Sequence, residues 1–284
     1  MPRIAYVNGA YVPLAEAAVN VEDRGYQFAD GVYEVCLVVA GRFWDEAGHL
    51  DRLDRSLAAL EIPPPVGRRA LRLIAREALR RNRLRDALVY IQVTRGVAAR
   101  NHAFPMRPVP PSLVVTAKRF DLEKNERQAA KGVSAITAPD IRWGRADIKS
   151  VALLPNVLAK QAAAKARAAE AWLVRDGKVT EGASSNAWIV TGAGEIVTHP
   201  LTNEILGGIT RRTVIDCAQA LQLKVVERPF SVAEALSAQE AFLTSATNLV
   251  MPVVALDERK IGDGRPGPMA RRLREAYIRH CAEC

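Results

Sequence analysis

Lys149 is the residue of this sequence whose type and surroundings best suit covalent chemistry. Only nine of the forty cationic residues are lysines, and Lys149 lies in residues 146–155, Ala-Asp-Ile-Lys-Ser-Val-Ala-Leu-Leu-Pro. Apolar surroundings remove water from an ammonium group and favour the neutral amine, which can form a Schiff base with a carbonyl compound. Because most lysines only solvate the surface, this candidate needs supporting residues.

A carboxylate followed by small residues occurs at residues 180–186, Thr-Glu-Gly-Ala-Ser-Ser-Asn. Small side chains let the backbone approach a flat ligand, and Glu181 would give an anionic partner to a pyridine nitrogen that must stay protonated. The same pattern is equally typical of an ordinary turn with a capping residue. Both interpretations stay open on this pattern alone.

Two glycines open directly into a helical pattern at residues 207–212, Gly-Gly-Ile-Thr-Arg-Arg. Backbone N–H groups at a helix start, together with the Thr210 hydroxyl, form a natural phosphate site. Residues 244–248 add a second group of hydroxyls after a predicted strand. Glycines also begin many helices that bind no phosphate, so this pattern is a candidate only.

Strand patterns joined by tight turns must position these groups in the first part of the chain, with helices among them. The predicted strands are residues 4–7, 10–12, 31–40, 43–44, 87–94 and 112–118, and the predicted helices are residues 50–60 and 67–85. Residues 120–131 are polar and lack strong periodicity. They are therefore the predicted linker between an N-terminal domain, residues 1–119, and a C-terminal domain, residues 132–284.

The second domain mixes strands and helices without a regular alternation, which predicts an α+β fold. Its predicted strands are residues 132–137, 171–175, 187–190 and 195–198, and its predicted helices are residues 156–171 and 210–221.

Composition narrows the class of protein. The net charge is +9, but the arginine-rich residues 67–85 have the spacing of a solvated amphipathic helix, so nucleic-acid binding is not expected. The apolar stretches are much shorter than the roughly 20 residues of a membrane helix. Four scattered cysteines predict reduced thiols. The first residues lack the continuous apolar region of a secretion signal, so a cytoplasmic protein is expected. Cys281 and Cys284 have metal-like spacing without a second pair, so no metal is expected.

These segments, in this order, resemble the fold-type IV (class IV) aminotransferases, which depend on pyridoxal 5'-phosphate. The resemblance covers nearly the whole chain and is closest to the bacterial D-amino acid aminotransferases. It is carried by Asp147-Ile-Lys-Ser150, Asn156-Val-Leu-Ala-Lys-Gln161, Thr180-Glu-Gly-Ala-Ser-Ser-Asn186 and Gly208-Ile-Thr-Arg211. It implies a two-domain α+β enzyme with a small N-terminal α/β domain and a larger, β-barrel-like C-terminal domain.

The resemblance also implies roles for single residues. Lys149 would hold the cofactor as an internal aldimine and shuttle a proton between the substrate carbon and the C4' carbon of the cofactor. Glu181 would pair with the pyridine nitrogen, and Arg52 would clamp the phosphate. The other cofactor-binding residues that the resemblance implies are Ser185, Asn186, Leu206, Ile209, Thr210 and Thr247.

Arg100-Asn-His102 resembles the Arg-x-His element with which D-amino acid aminotransferases bind the substrate α-carboxylate, together with a tyrosine that matches Tyr33. A guanidinium fork suits the two oxygens of a carboxylate. In that family the loop reaches in from the partner subunit, which implies a homodimer. The reaction implied first is D-alanine with 2-oxoglutarate, giving pyruvate and D-glutamate. Without the resemblance, an exposed loop before Pro105 is the simpler interpretation.

Three relatives on the same scaffold are the alternatives. Branched-chain L-amino acid aminotransferases typically carry a tyrosine five residues after the lysine, where this chain has Leu154, and an EGxGEN-like segment, where it has Ala183-Ser-Ser-Asn186. Both departures favour the D-amino acid assignment. (R)-selective amine transaminases and aminodeoxychorismate lyases are the others. Arg95 adds a cation that could bind a second substrate carboxylate or form a structural ion pair.

Overall fold

The computed structural model describes residues 3–283, which form two compact units. The first unit comprises the chain up to Asp121 together with Ile148–Ala152, and the second comprises Leu122–Asp147 and the chain from Leu153 onward. The predicted α+β, two-domain fold class is confirmed. The predicted limits of the domains stay a prediction, and the return of Ile148–Ala152 to the first unit was not part of it.

The first unit is built on a six-stranded antiparallel sheet. Its strands, in the order β2-β1-β6-β5-β3-β4, are β1 (Ile4–Val7), β2 (Ala10–Pro13), β3 (Gly31–Val39), β4 (Arg42–Phe43), β5 (Ala87–Thr94) and β6 (Ser112–Arg119). Its helices are α1 (Arg24–Phe28), α2 (Glu46–Ala59) and α3 (Arg68–Asn82), with a short 3-10 turn at Leu14–Glu16.

Simple periodicities explain these elements. In β5 alternate residues from Ala87 to Val93 are buried and those between are half-buried, which is the pattern of a strand with one face on the core. In α3 the residues Leu71, Ala75 and Leu79 are buried while the arginines face solvent, as predicted for an amphipathic helix. Together these faces form one core between the sheet and α2 and α3.

The second unit is built on a ten-stranded mixed sheet. Its strands are β7 (Val133–Pro139), β8 (Glu170–Arg175), β9 (Lys178–Gly182), β10 (Asn186–Val190), β11 (Ile196–Thr198), β12 (Val225–Glu227), β13 (Phe230–Ser231), β14 (Glu240–Ser245), β15 (Leu249–Leu256) and β16 (Arg259–Lys260). Nine of them lie in the order β12-β11-β10-β14-β15-β7-β8-β9-β13, and the tenth, β16, pairs with β15. Its helices are α4 (Leu122–Lys131), α5 (Leu154–Lys165), α6 (Ile209–Ala220), α7 (Val232–Ser237) and α8 (Pro268–Glu283).

Several expectations about elements were wrong or incomplete, including the following three. The expected linker is mostly the helix α4, because Asn125 and Ala129 lie one turn apart on a buried side. The helix predicted at residues 156–171 ends at Lys165, since Arg167 adopts a left-handed backbone (φ 56°) and the chain then turns into β8. The helix α8 was not predicted, although Leu273, Tyr277 and Cys281 lie buried at helical spacing.

The cysteines of the described chain are reduced and buried. Cys36, Cys217 and Cys281 form no disulfide, and Cys281 lies inside α8. Cys284, the second thiol of the terminal pair, lies outside the described residues. Within residues 3–283 no helix combines the length and the apolar character needed to cross a membrane.

Candidate active site

Lys149 is positioned by an extension of the first unit's sheet. The Tyr33 N–H donates to the Lys149 carbonyl at 3.0 Å, the Val151 N–H donates to the Gly31 carbonyl at 3.0 Å, and the Lys149 N–H donates to the Ser56 hydroxyl at 3.3 Å. Residues 148–152 are thus fastened to the start of β3. This fastening fixes the backbone that carries the amine.

The Lys149 side chain is half-buried and faces an aromatic ring. Its Nζ lies 4.2 Å from the ring centroid of Tyr33, whose ring lies 5.6 Å from that of Tyr90. Tyr90 donates to Gln92 at 2.7 Å, and burial raises the pKa of Tyr90 to about 12. Among the described residues no carboxylate forms an ion pair with the lysine, so the amine is not held as part of a structural salt bridge.

Arg52 lies buried on α2 and is bound by an acid that the sequence had not singled out. Its Nε donates to Glu34 Oε1 at 2.7 Å and its Nη2 donates to Oε2 at 2.8 Å, while His49 Nδ1 lies 2.7 Å from Oε2. Burial pushes the pKa of Glu34 upward, but the charge and hydrogen bonds of Arg52, aided by His49, lower it to about 2. The same carboxylate raises the pKa of Arg52 despite burial.

A pattern in β3 could have revealed Glu34. Val32, Glu34, Cys36 and Val38 alternate along the strand and are all buried, so the one acid among them points into the unit. A buried acid requires a buried cation nearby. Arg52 is therefore fixed by Glu34, and its proposed phosphate role rests on the resemblance.

Glu181 is the centre of a polar cluster in the second unit. It is 5% exposed; it accepts from Asn186 Nδ2 at 2.9 Å and from the Leu206 N–H at 3.1 Å, and it is ion-paired with Arg142. The structure thus brings together three of the predicted cofactor residues, Glu181, Asn186 and Leu206.

Arg142, which the sequence analysis missed, links this cluster to a second acid. It donates to Asp140 Oδ2 at 2.8 Å and to the Glu204 carbonyl at 2.8 Å. Burial lowers the pKa of Arg142, but its two carboxylate partners outweigh burial and raise it. For Asp140 burial acts in the opposite direction and raises the pKa, but Arg142 and the Thr180 hydroxyl bring this pKa below its ordinary value.

Glu170, another acid that the sequence analysis did not single out, shapes the turn after Glu181. Its Oε2 accepts from the Ser184 hydroxyl at 2.8 Å and from the Ser185 hydroxyl at 2.9 Å. A Cβ at Gly182 would lie 2.3 Å from Ser185 Oγ, so only glycine fits there without displacement. The small residues of this segment therefore permit a tight turn beside Glu181.

The start of α6 is the candidate phosphate site. Gly208 caps the helix without a side-chain hydrogen bond, and Ile209 and Thr210 lie buried in its first turn. A Cβ at Gly208 would lie 2.0 Å from Asn186 Oδ1, which places this helix start directly beside the Glu181 cluster. Thr247 is half-buried, with its hydroxyl 3.2 Å from that of Ser245.

Two of the predicted carboxylate-binding residues, Arg100 and His102, lie in an exposed loop of the first unit, and the third, Tyr33, lies half-buried in β3. Arg100 stacks over the Phe28 ring at 4.7 Å, and the His102 ring lies 5.4 Å from the same ring. Arg95 donates to Asp30 Oδ2 at 2.8 Å and is 7% exposed. Of the two interpretations offered for Arg95, the contacts favour the structural ion pair.

These residues fit pyridoxal 5'-phosphate by their chemistry. The first unit offers a lysine amine without a carboxylate partner, and the second offers a carboxylate fixed by hydrogen bonds beside a helix start whose capping residue, Gly208, leaves no room for a Cβ. An aldehyde, a pyridinium nitrogen and a phosphate are the groups that such residues bind.

Comparison with known proteins gives concordant matches. A model of the family described as amino-transferase class IV matches residues 31–256. The chain is 43% identical over 269 residues to the D-alanine aminotransferase of Bacillus licheniformis, covering 95% of this chain and 94% of that protein. It is 39% identical over 275 residues to the D-alanine aminotransferase of Staphylococcus haemolyticus, covering 97% and 96%.

Solved structures match at the level of the fold. A T.th. branched-chain amino acid aminotransferase, crystallised with pyridoxamine 5'-phosphate, superposes with a TM-score of 0.90 at 28% identity, covering 100% of this chain and 95% of that chain. The Escherichia coli branched-chain amino acid aminotransferase has a TM-score of 0.90 at 22% identity, covering 99% and 95%.

Proposed function

Since this chain belongs to the amino-transferase class IV family and is a pyridoxal-5'-phosphate-dependent aminotransferase, we propose that it transfers the amino group of a D-amino acid to a 2-oxo acid. D-alanine and 2-oxoglutarate, which give pyruvate and D-glutamate, are the first pair to test. The observation that carries this choice is the 43% identity to a D-alanine aminotransferase along 95% of the chain. The branched-chain structures share the fold at 28% identity or less.

When bound, pyridoxal 5'-phosphate supplies an aldehyde that condenses with amines and a pyridinium ring that withdraws electrons from the substrate carbon. In this proposal Lys149 would hold the cofactor at rest and, once displaced by the substrate amine, would move a proton from the substrate α-carbon to the C4' carbon of the cofactor. The fixed backbone of residues 148–152 supports this role, since a proton-transfer group must be held within reach of one atom.

Glu181 would keep the pyridine nitrogen protonated, which the reaction requires. Its carboxylate is oriented by Asn186 and the Leu206 N–H and is ion-paired with Arg142. Ile209 and Thr210 would bind the phosphate at the start of α6, with Arg52 and Thr247 as further ligands. Ser185 would support the turn beside the ring, since its hydroxyl is already committed to Glu170.

Arg100, His102 and Tyr33 would hold the substrate α-carboxylate and thereby decide which α-hydrogen faces Lys149. We propose further that the enzyme is a cytoplasmic homodimer in which each subunit lends Arg100 and His102 to its partner. The exposure of this loop supports such lending, as does the exposure of apolar Phe104 and Met106 next to it.

A half-reaction assay tests the substrate class. Absorbance spectra of the cofactor-loaded enzyme are recorded while D-alanine, L-leucine and (R)-1-phenylethylamine are added separately. We expect D-alanine to convert the cofactor to its aminated form fastest. A faster conversion by L-leucine would transfer the proposal to the branched-chain class, and a faster conversion by the amine would transfer it to the amine transaminases.

Arg100→Ala tests the carboxylate role. The variant should raise the D-alanine concentration needed for half-maximal conversion by about tenfold or more, because it removes a charge that binds the carboxylate. The requirement for (R)-1-phenylethylamine, which has no carboxylate, should change little. Equal changes for both donors would count against this role.

A further inference from the structure

The loop that carries Arg100 and His102 has little internal structure to hold it in place. Between β5 and β6 the chain forms no helix and no strand longer than an isolated bridge, and residues 99–104 are all exposed. An exposed irregular loop normally samples many conformations. A guanidinium that binds a substrate carboxylate with both nitrogens needs a fixed position, so something outside the loop must fix it.

Arg24, at the start of α1, provides the fixation. Its guanidinium is 3% exposed and donates to three consecutive carbonyls of the loop: Nη1 to Asn101 at 2.6 Å, Nη1 to Ala103 at 3.3 Å and Nη2 to His102 at 3.3 Å. These hydrogen bonds hold the backbone of three consecutive loop residues, 101–103. They act on the backbone, so they hold the loop whatever its side chains bind.

The Arg24 guanidinium is itself held by Asp30. Its Nε donates to Asp30 Oδ2 at 2.7 Å, and Arg95 donates to both oxygens of the same carboxylate, at 2.8 and 3.1 Å. Arg95 also stacks on Phe104, at 3.5 Å from the ring centroid. One largely buried acid, Asp30, therefore orients two arginines that contact the loop at successive positions.

Phe28 completes the support four residues after Arg24, on the same side of α1. Its ring contacts the guanidinium of Arg24 at 4.8 Å, that of Arg100 at 4.7 Å and the ring of His102 at 5.4 Å. The two residues that would bind the substrate thus rest on one aromatic ring. A cation over an exposed aromatic ring gains little by itself, so these ring contacts alone are too weak to order the loop.

We infer that Arg24, oriented by Asp30, is a positioning residue for substrate binding: it fixes the Arg100-Asn101-His102 loop in the conformation that receives the α-carboxylate. This inference rests on the proposed carboxylate role of Arg100. Arg24 acts through the loop backbone and touches no substrate. It therefore affects the affinity for amino acids and 2-oxo acids. The affinity for amino donors without a carboxylate does not depend on it.

The experiment compares Arg24→Gln with wild type and with Arg68→Gln. Arg68 is a matched control because it also pairs with aspartates, Asp51 and Asp54, but lies exposed on α3. Amide hydrogen exchange of the cofactor-loaded proteins is followed in peptides spanning residues 99–106. We expect exchange there to be about tenfold faster in Arg24→Gln alone, with the rest of the chain little changed.

Half-reactions give the second readout. Arg24→Gln should raise the D-alanine requirement by about tenfold and leave that for (R)-1-phenylethylamine within about twofold of wild type. In an Arg100→Ala background the same change should add less than about twofold, because both substitutions disable one function. Arg24→Lys keeps the charge beside Asp30 but cannot reach three carbonyls, so it carries the test if Arg24→Gln does not fold.

The failures are separable. Unchanged exchange in residues 99–106, equal losses for amino acid and amine, or full additivity with Arg100→Ala overturns the positioning role alone. A cofactor-loaded wild type that is inert toward D-alanine overturns the proposed function and this inference together.

Discussion

At the scale of single residues, several acids with little solvent exposure hold the arginines of this protein in place. Glu34 holds Arg52, Asp30 holds Arg24 and Arg95, and Glu181 is ion-paired with Arg142. The side chains of these residues are at most 10% exposed, so neither partner of a pair can be removed without leaving a charge with little solvent around it. These pairs make the conformations of the cationic side chains largely independent of ligand.

Glu34→Gln is expected to destabilise the protein by about 3 kcal/mol, because it leaves Arg52 buried beside a neutral amide. Urea unfolding of the loaded protein at pH 7 measures the change. Glu77→Gln is the matched control: Glu77 also binds two arginines, but on the exposed face of α3, and its midpoint should stay at the wild-type value. Equal shifts of both midpoints would refute the assigned importance of burial.

The same pair predicts a pH dependence. The pKa of Glu34 is about 2 in the folded protein and 4.5 ordinarily. A lowered pKa means that the pairing contributes its full stability above the ordinary value and loses it as the pH falls toward the folded value. The stability gap between wild type and Glu34→Gln should therefore narrow between pH 4.5 and 2. A gap that stays constant down to pH 3 would show that Glu34 is not the titrating group.

At the scale of elements, the sequence predicted what depends on local pattern and missed what depends on distant partners. The limits of β1 and β5 follow from alternation and turns, and both are as predicted. Arg142 could not be singled out, because it meets Glu181 only across 39 residues of chain. Glu170 was missed for the same reason, since its serine partners are identified only once the turn is folded.

Gly208→Ala tests the packing of α6 against the Glu181 cluster. The backbone of Gly208 (φ −63°) suits alanine, but the added Cβ would lie 2.0 Å from Asn186 Oδ1 and would displace the amide that holds Glu181. The dissociation constant for pyridoxal 5'-phosphate should rise about tenfold, as for the loss of about 1.4 kcal/mol. Spectrophotometric titration of the apoprotein measures it.

Gly192→Ala serves as the control for this experiment, because a Cβ at Gly192 meets nothing within 4 Å. Its cofactor affinity should equal that of wild type. If Gly208→Ala also binds the cofactor as wild type does, the contact between Gly208 and Asn186 has no part in cofactor binding.

At the scale of the whole molecule, the proposed lending of Arg100 between subunits predicts complementation. At a D-alanine concentration well below the wild-type half-saturation point, Lys149→Ala should be inactive and Arg100→Ala should be about tenfold less active than wild type. Mixing equal amounts under conditions that exchange subunits should restore about a quarter of wild-type activity, since half of the dimers are hybrids with one intact site each. A mixture no more active than its components would place Arg100 in the site of its own subunit, or show that no dimer forms.

Because Ile148–Ala152 belong to the first unit although the chain around them belongs to the second, the chain cannot be cut into two fragments that match the two units. A fragment that ends at Asp121 contains all strands of the six-stranded sheet and the helices of the first unit. It lacks the five residues, Ile148–Ala152, that bond to β3 and carry the amine of Lys149. Neither contiguous half of the chain thus contains Lys149 together with the strand to which its backbone is bonded. A chain divided at this boundary would therefore separate Lys149 from the strand to which its backbone is bonded, and the two fragments would have to associate before the proposed active site could form.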